Sequence, residues 1–492
     1  MARKYLSKST FKKGVQCKKS LYLYKFHPEL ADEISQQQEG VFQTGTDVGV
    51  LAQKLFPGGV DAGPEDYTKY FASFKHTQQL IDDGVEVIYE AGFCYDYVMC
   101  FVDILVKKEG KWYAYEVKSS TKVSDTHVID ASLQYYIMQK SGLDIADISI
   151  THIDNTYLRD GELDLQKLFT SQTVLKEAKN NIEYIKNKLK ELHTVLADNC
   201  IPQADIGSYC NEPYSCNFKG ECWKHIPEYS VFDIANLRAN KKWNLYYNGH
   251  IKLKDIPSET KLSSNQQLEV HSYLTSSKII NHKKIADFVN NLSDNLYYLD
   301  FETYNPAIPP FEGLNPYQQT PFQYSAHCKN NGLLEHYEFL ANPLNDPREP
   351  FIKSLINNMK KEGDILVYNI VFEKGRLNAL IQSFPKYQND LQSIIDRMKD
   401  LIIPFREKWY YDPVMKGGYS IKDVLPALVP GFSYDNLEIN NGSLASAVFT
   451  NLASKNDKIE IQKIRENLLA YCKLDTYAMV KILEVLKSIQ SV

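Results

Sequence analysis

Two pairs of acidic residues in this chain of 492 residues have the spacing that divalent-metal chemistry requires. Asp300 and Glu302 alternate with Leu299 and Phe301, so a β-strand would place both carboxylates on one face and both apolar side chains on the other. Two carboxylates on one face repel each other unless a cation or a proton lies between them. This spacing therefore favours a metal site over an ordinary surface.

A second acidic set occurs earlier in the chain. Asp103 lies in an apolar, strand-like segment, and Glu116 and Lys118 occupy alternate positions of the next one. If the two strands pair as a hairpin, two carboxylates and one ammonium group meet. The acids would bind Mg²⁺ or Mn²⁺ through oxygen while Lys118 orients the attacking water, which suits hydrolysis of a phosphodiester bond. The alternative is a solvent-facing edge strand with an ordinary ion pair.

Three cysteines recur at equal spacing in a polar, aromatic loop. Five residues separate Cys210 from Cys216, and five separate Cys216 from Cys222, so a fourth ligand would come from a distant segment. Thiolates bind zinc or an iron–sulfur cluster. Zinc motifs usually pair cysteines about two to four residues apart, so the wider spacing favours a cluster and leaves Zn²⁺ as the alternative.

The other cysteines and the composition limit the classes of protein. Cys94, Cys100, Cys328 and Cys472 lie in apolar segments, where a cysteine is usually a small buried hydrophobe. The odd total of nine argues against a disulfide framework and for a reducing, cytoplasmic compartment. No apolar segment approaches the roughly 18 residues of a membrane-spanning helix, and the N-terminus lacks the apolar region of a secretory signal.

Charge is unevenly distributed along the chain. The formal net charge of −5 excludes a protein that coats nucleic acid by bulk charge. The first 25 residues nevertheless carry only basic charges, interleaved with Tyr5, Tyr22 and Tyr24. This pattern indicates an arm that meets phosphates and stacks on bases. A solvated helix face and an organelle transit peptide are the alternatives.

The order of predicted strands and helices around these residues indicates an α/β protein with mixed sheets covered by helices. Around the first acidic set we expect two strands and two later helices: Val98–Val106, Trp112–Lys118, a helix over about 126–142 and an amphipathic helix from Leu175. Around the second we expect strands over 296–301, 322–328, 333–340 and 365–368, and a helix opened by Pro347 after the cap Asp346. The length suggests roughly three units: 1–225, a helical connector over 226–294, and 295–492.

Asp103, Glu116-Val117-Lys118 and Gln134 at the opening of a helix resemble the PD-(D/E)XK nuclease core of RecB-like enzymes. The resemblance covers about residues 5–225 and implies a restriction-endonuclease-like core in which Asp103 and Glu116 bind the metal. Gln53 stands where the family commonly has a metal-binding His. Glu90 resembles an extra acid that sometimes precedes the motif aspartate.

The cysteine pattern, one before this core and three after it, is similar to RecB-like nucleases with an iron–sulfur cluster. Cys17 falls where that family places its first ligand. The resemblance implies a 4Fe-4S cluster bound by Cys17, Cys210, Cys216 and Cys222, which would staple the N-terminal segment to the end of the nuclease domain.

Asp300 and Glu302, then Glu373, then Tyr471 four residues before Asp475, look like the DEDD exonuclease family of the RNase H-like, DnaQ-like fold. A helix places Tyr471 and Asp475 on the same side. The resemblance implies two metal ions about 3.5–4 Å apart, bound by the four acids, and a water positioned by Tyr471. The family usually has Asp where this chain has Glu373.

The two resemblances together predict a function. The arrangement is similar to an uncharacterised bacterial family described as predicted RecB-family nucleases. We expect a metal-dependent nuclease acting on ends of single-stranded DNA or RNA, with 3′ to 5′ removal of nucleotides by the C-terminal half. Repair, nucleic-acid turnover and defence are the candidate pathways, with a helicase or another repair or defence protein as a partner. Gln53 and Glu373 keep open a catalytically impaired nucleic-acid-binding or scaffold subunit, and a zinc-stapled interaction module is a third hypothesis. Asp412 is a further candidate carboxylate.

Overall fold

The computed structural model describes residues 4–64, 66, 70–330, 332–359 and 362–490. The chain forms two compact units, one of Met1–His225 with Pro306–Tyr317 and one of Ile226–Asn305 with Gln318–Val492. Residues 226–294, which the sequence assigned to a connector, cluster with the second unit. Each unit combines a β-sheet with helices, so the α/β class is confirmed at this level. Among the described helices, none combines the length and the apolar character needed to cross a bilayer.

The first unit is built on a seven-stranded sheet in the order β2-β3-β4-β5-β6-β7, with β1 beside β4. Its strands are β1 Leu6–Ser7, β2 Val60–Asp61, β3 Val87–Tyr95, β4 Val98–Lys108, β5 Lys111–Lys118, β6 Ile145–Ile153 and β7 Phe169–Thr173. The antiparallel pair β4–β5 is closed by Glu109 and Gly110, both with positive φ, which is the left-handed backbone of a tight two-residue hairpin turn.

Helices of the first unit pack on this sheet. Cys17 lies between two of them, and Cys222 ends a third. They are α1 Lys8–Gln16, α2 Lys18–Phe26, α3 Gln36–Gln53, α4 Tyr70–Asp82, α5 Asp125–Lys140, α6 Leu165–Leu168, α7 Leu175–Asn180, α8 Ile182–Ala197 and α9 Lys219–Cys222. The amphipathic helix predicted from Leu175 is two helices that meet at Asn181. Its apolar stripe is buried as predicted, with Ile185, Leu189 and Leu192 in the core.

One predicted position in α5 is wrong. Gln134 was expected to open the helix, but it lies in the middle of α5. The helix begins nine residues earlier, at Asp125, because Ser124 and His127 form a capping box that fixes its N-terminus. Gln134 is fully buried there and faces the sheet.

The second unit is built on a five-stranded sheet in the order β11-β10-β9-β12-β13, in which β9, β10 and β11 are antiparallel and β12 and β13 run parallel to β9. A separate two-stranded ladder pairs β8 with β14. The strands are β8 Ile279–Ile280, β9 Leu296–Tyr304, β10 Thr320–Asn330, β11 Leu333–Leu340, β12 Asp364–Val367, β13 Met398–Asp400 and β14 Tyr410–Tyr411.

Helices cover the second sheet and contribute most of its core. They are α10 Ala239–Tyr247, α11 Ser264–Thr275, α12 His282–Asn290, α13 Arg348–Asn358, α14 Ile370–Ser383, α15 Gln388–Asp396, α16 Ile403–Arg406, α17 Ile421–Leu428, α18 Gly442–Leu452 and α19 Lys458–Gln490. The predicted cap of α13 is shifted by one residue. Pro347 is the cap residue, and Asp346 accepts a hydrogen bond from the Arg348 backbone N–H.

Candidate metal centres

Strand β9 positions the first acidic pair of the second unit. Leu299 and Phe301 are buried in one apolar cluster, and the two-residue period of the strand turns Asp300 and Glu302 to the opposite face. There α19 brings Asp475, which is also buried. The alternation of β9 and the packing of α19 together place three carboxylates from two distant segments in one region of the unit.

The charges of these acids act on one another. Burial raises the pKa of Asp300 well above its ordinary value, and the charges of Asp475, Glu302 and Glu373 raise it further. Burial and Asp475 likewise raise the pKa of Glu302, against the opposing charge of Lys422. The structure thus brings the carboxylates of Asp300 and Glu302 within 4.8 Å of each other, and the charges of Asp475 and Glu373 act on Asp300. Such a set repels itself when ionised, unless protons or cations neutralise it.

Glu373 lies in the first turn of α14 and is almost entirely buried. Its Oε2 atom has no hydrogen-bond partner among the described residues. Burial raises its pKa to about 8, and the nearby charge of Asp400 acts in the same direction. A buried carboxylate oxygen without a partner is unfavourable, so this atom is available to a ligand.

Two tyrosines and a lysine surround Asp475. Tyr434 donates a hydrogen bond of 2.6 Å to Asp475 Oδ1, and Tyr471 hydrogen-bonds the same carboxylate from one turn earlier on α19. Burial raises the pKa of Asp475 to about 6, against these bonds and the charge of Lys422. Lys422 Nζ lies 5.2 Å and 5.3 Å from the ring centroids of Tyr434 and Tyr471.

Sequence reasoning missed three neighbours of this centre: Lys422, Tyr434 and Cys472. Cys472 was assigned to the apolar core, and it is fully buried, but its Sγ lies 3.9 Å from Asp300 Oδ2. Lys422 and Tyr434 come from a segment that carried no acidic motif. The only sequence signal for any of these three neighbours was that Cys472 directly follows Tyr471.

Asp412 does not join this cluster. Its Oδ1 accepts a hydrogen bond from the Val414 backbone N–H, and its Oδ2 lies 3.0 Å from Lys278 Nζ. Both oxygens are thus used by a turn and an ion pair. The structure gives Asp412 a capping role.

The acidic set of the first unit lies where two strands separate. Strand β4 pairs with β5 from Ile104 to Lys108 and with β1 at Val98 and Met99, which leaves the stretch up to Asp103 without a strand neighbour on that side. Gln134 fills part of this gap, since its Nε2 donates to the Phe101 carbonyl oxygen and, at 2.5 Å, to Glu116 Oε2. Asp103 Oδ2 accepts a hydrogen bond from the Val117 backbone N–H.

Asp103, Glu116 and Glu90 are neighbouring carboxylates of this centre. Asp103 lies one residue beyond the last β4–β5 pair, Ile104 with Tyr115, and Glu90 lies on β3 between the residues that pair with Ile104 and Val102 of β4. Burial raises the pKa of Glu90 to about 8 and that of Asp103 to about 6, and in each case the neighbouring acid raises it further. Glu90 has the left-handed φ of +50°, a strained backbone that is often found at functional sites.

Two lysines of this centre form direct ion pairs with one of its acids. Lys8 Nζ lies 2.6 Å from Glu116 Oε1, and Lys118 contacts the same oxygen. Although burial disfavours the charge of Glu116, Lys118 and Lys8 hold its pKa below the ordinary value. Asp130 is a second shared partner, at 3.2 Å from Lys12 and 3.4 Å from Lys118.

The basic N-terminal segment is therefore partly internal. Lys8 and Lys12 point from α1 to the acids, and Tyr22 is buried, whereas Tyr24 is 43% exposed. Gln53, the residue in place of a family histidine, ends α3, where its carbonyl oxygen accepts a hydrogen bond from Tyr89.

The four cysteines selected from the sequence line one small cavity of the first unit. Cys17, between α1 and α2, and Cys210, Cys216 and Cys222 all contribute to its wall. Electrostatic interactions join Cys222 to the other three thiols. No three of these sulfurs lie within 4.8 Å of one another in the part of the chain that the structure describes.

Polar contacts hold the two cysteine segments together. Gln16 Nε2 donates to the carbonyl oxygens of Tyr209 and Tyr214, Lys13 donates to Asn217, and the Gly220 backbone N–H donates to Asp32. Hydrogen bonds that involve side chains thus hold the N-terminal segment on the cysteine loop, whether or not the thiols bind a group.

Comparisons with known proteins add no activity. The model of a family described as "Domain of unknown function (DUF2779)" matches residues 297–420. The chain is also similar to "Uncharacterized protein UU173" of Ureaplasma parvum serovar 3 (strain ATCC 700970), with 26% identity over 223 residues, 41% of this chain and 32% of that protein. The match thus spans about a third of the length of this curated relative. Both descriptions leave function open, and the family match includes Asp300, Glu302 and Glu373.

Proposed function

We propose that this protein is a metal-dependent nuclease whose principal centre is formed by Asp300, Glu302, Glu373 and Asp475. The observation that carries the proposal is the close approach of the Asp300 and Glu302 carboxylates, within 4.8 Å of each other, with the charges of Asp475 and Glu373 acting on Asp300 and Lys422 as a nearby cation. Divalent cations relieve such repulsion, and carboxylate oxygens are the ligands that Mg²⁺ and Mn²⁺ prefer. The mixed sheet and the order of the acids along the chain support a DEDD-type, RNase H-like centre.

The side chains present fit this chemistry. Two bound Mg²⁺ or Mn²⁺ ions would stabilise the attacking and leaving oxygens of an in-line displacement at phosphorus. Tyr471 is placed to hold a water by its hydroxyl group, because Asp475 fixes its orientation. The ammonium group of Lys422 supplies positive charge toward a bound phosphate and is itself held by the two tyrosine rings.

We propose the PD-(D/E)XK-like centre of Asp103, Glu116 and Lys118 as a second nuclease site. The separated strands β4 and β5 and the third acid, Glu90, support it. Lys8 and Lys118 already neutralise Glu116, so the drive to bind a cation is weaker here than in the second unit. This contrast favours the C-terminal centre as the principal one.

The cysteine cavity supports a 4Fe-4S cluster bound by Cys17, Cys210, Cys216 and Cys222. Zinc holds its sulfurs about 2.3 Å from one ion, which brings them within about 4 Å of one another. No three of these thiols approach that closely in the described part of the chain, which favours the larger cluster. A cluster would be a structural brace, because it would join α1, which carries Lys8, to the loop that ends the unit.

Single-stranded ends of DNA or RNA are the proposed substrate, in a reducing, cytoplasmic compartment. A helicase or another repair or defence protein is the proposed partner. The rival function is a catalytically impaired nucleic-acid-binding subunit. The ion pairs of Glu116 with Lys8 and Lys118 favour this rival function for the first unit, because they compete with a metal ion for the carboxylate.

Cleavage of labelled single-stranded oligonucleotides tests the proposal. We expect hydrolysis that requires Mg²⁺ or Mn²⁺ and is lost in Asp300→Asn and Glu302→Gln, while Asp390→Asn, an exposed acid in the first turn of α15, keeps it. Asp103→Asn and its exposed control Glu177→Gln report separately on the first unit. End binding without metal-stimulated cleavage in the unmodified protein would establish the rival.

A further inference from the structure

Cys472 occupies an unusual place for a buried cysteine. It lies on α19 between Tyr471 and Asp475, with no exposed surface, and its Sγ is 3.9 Å from both Asp300 Oδ2 and the Asp300 carbonyl oxygen. One ligand atom each of Asp300, Glu302 and Cys472 lies within 4.8 Å of the other two. The thiol is therefore within the carboxylate cluster.

These separations match a shared metal ion. An ion about 2.3 Å from sulfur and about 2.1 Å from a carboxylate oxygen holds those atoms 3.9 Å apart when the angle between them is about 125°, near the tetrahedral value. Burial and the charges of the neighbouring acids raise the pKa of this thiol well above its ordinary value, and the Ser325 backbone N–H acts in the opposite direction.

An independent observation points to a ligand in the same space. Glu373 is 2% exposed, its Oε2 has no partner among the described residues, and its charge acts on Asp300. Asp300, Glu302 and Cys472 supply two oxygen donors and one sulfur donor from two elements, and Glu373 on a third element acts electrostatically on Asp300.

We propose that Cys472 is a metal ligand, and that the ion position beside Asp300 and Glu302 takes a borderline or soft divalent cation, of which Zn²⁺ is the example. The inference rests on the proposed function, because it concerns the same centre. Thiolate sulfur binds Zn²⁺ strongly and Mg²⁺ poorly. Binding forms one metal–sulfur bond, breaks the S–H bond and releases the proton to solvent, without oxidation.

The competing explanation is that the Cys472 thiol only donates a weak hydrogen bond to Asp300. Cys472→Ser separates the two, because serine keeps a hydrogen-bond donor and removes the soft ligand. Cys328→Ser is the matched control, since Cys328 is a buried cysteine on β10 of the same sheet. Thermal unfolding of all variants establishes that each one folds.

Cd²⁺ is the probe, because cadmium thiolates absorb in the ultraviolet by charge transfer. Protein with its cysteine cavity loaded by anaerobic purification is titrated with Cd²⁺, Zn²⁺ and Mg²⁺. We expect the Cd²⁺ charge-transfer band to fall in Cys472→Ser and to persist in Cys328→Ser. Cys472→Ser should also weaken Zn²⁺ binding at least about tenfold while Mg²⁺ affinity changes less than about twofold.

Equal bands and equal Zn²⁺ affinities in the unmodified protein and Cys472→Ser would overturn the inference. If Asp300→Asn still abolishes metal binding in that case, the proposed nuclease centre stands without the sulfur ligand. If no ion binds to the second unit in any variant, the inference and the proposed function both fail.

Discussion

Replacement of Glu373 by Gln should make the metal-free protein more stable at alkaline pH. The carboxyl group is buried, one of its oxygens has no partner, and its pKa is raised from 4.5 to about 8, first by burial and then by Asp400. Each pH unit of difference between the folded and unfolded pKa corresponds to about 1.4 kcal/mol, so full ionisation costs the folded state up to about 5 kcal/mol.

The direction of the pH dependence follows from the raised pKa. The folded state holds this proton more tightly than the unfolded chain, so the stabilisation is complete below about pH 4.5 and is lost as the pH rises to about 8. Glu373→Gln lacks this loss. With a chelator present, we expect the variant to match the unmodified protein near pH 4 and to exceed it at pH 9.

Urea unfolding between pH 4 and pH 9 measures this difference, with Glu362→Gln as an exposed control. Added Mn²⁺ should narrow the difference at pH 8, because the ion displaces the proton from Glu373 and stabilises the unmodified protein by about 2.7 kcal/mol at one hundred times its dissociation constant. Identical pH profiles for both proteins, or equal stabilisation of both by Mn²⁺, would refute the assignment of Glu373 to the metal centre.

Other substitutions test separate parts of the account. Tyr471→Phe should lower cleavage at least about tenfold and leave Mn²⁺ stabilisation intact, as kinetics and thermal unfolding would show, because the hydroxyl positions water and does not bind the ion; equal loss of both would contradict this. Gly14→Val should destabilise the first unit by about 1–3 kcal/mol and lower its iron content, because a Cβ at Gly14 would lie 2.7 Å from Leu192 on α8 and displace α1, which leads to Cys17; full iron content would argue against this coupling. Cys17→Ser should remove most of the absorption of the anaerobically purified protein near about 400 nm, and an unchanged spectrum would exclude Cys17 as a ligand.

Local periodicity predicted the parts of the centres that lie within one element. The two-residue repeat of a strand was enough for Asp300 and Glu302, and the four-residue repeat of a helix for Tyr471 and Asp475. Lys8 and Lys422 could not be found this way, because each reaches its acids from a segment whose own pattern is that of an ordinary helix. Cys472 could not be found either, because an apolar sequence context predicts a buried cysteine whether or not its thiol binds a metal.

Long-range packing explains the remaining differences. No local pattern separates residues 306–317 from the strands around them. The structure places this segment in the first unit, where Arg159 Nη1 donates to the carbonyl oxygens of Pro309 and Pro310 and Tyr317 packs in an apolar cluster with Val117. Such contacts depend on side chains about 150 positions apart, which no local pattern records.

Anomalous scattering from crystals grown with Mn²⁺ tests the central claim most directly. The account predicts at least one strong peak bonded to carboxylate oxygens of Asp300 and Glu302 in the unmodified protein, and no peak there in crystals of Asp300→Asn. An ordered cluster of Asp300, Glu302, Glu373 and Asp475 with no peak at saturating Mn²⁺ would contradict it.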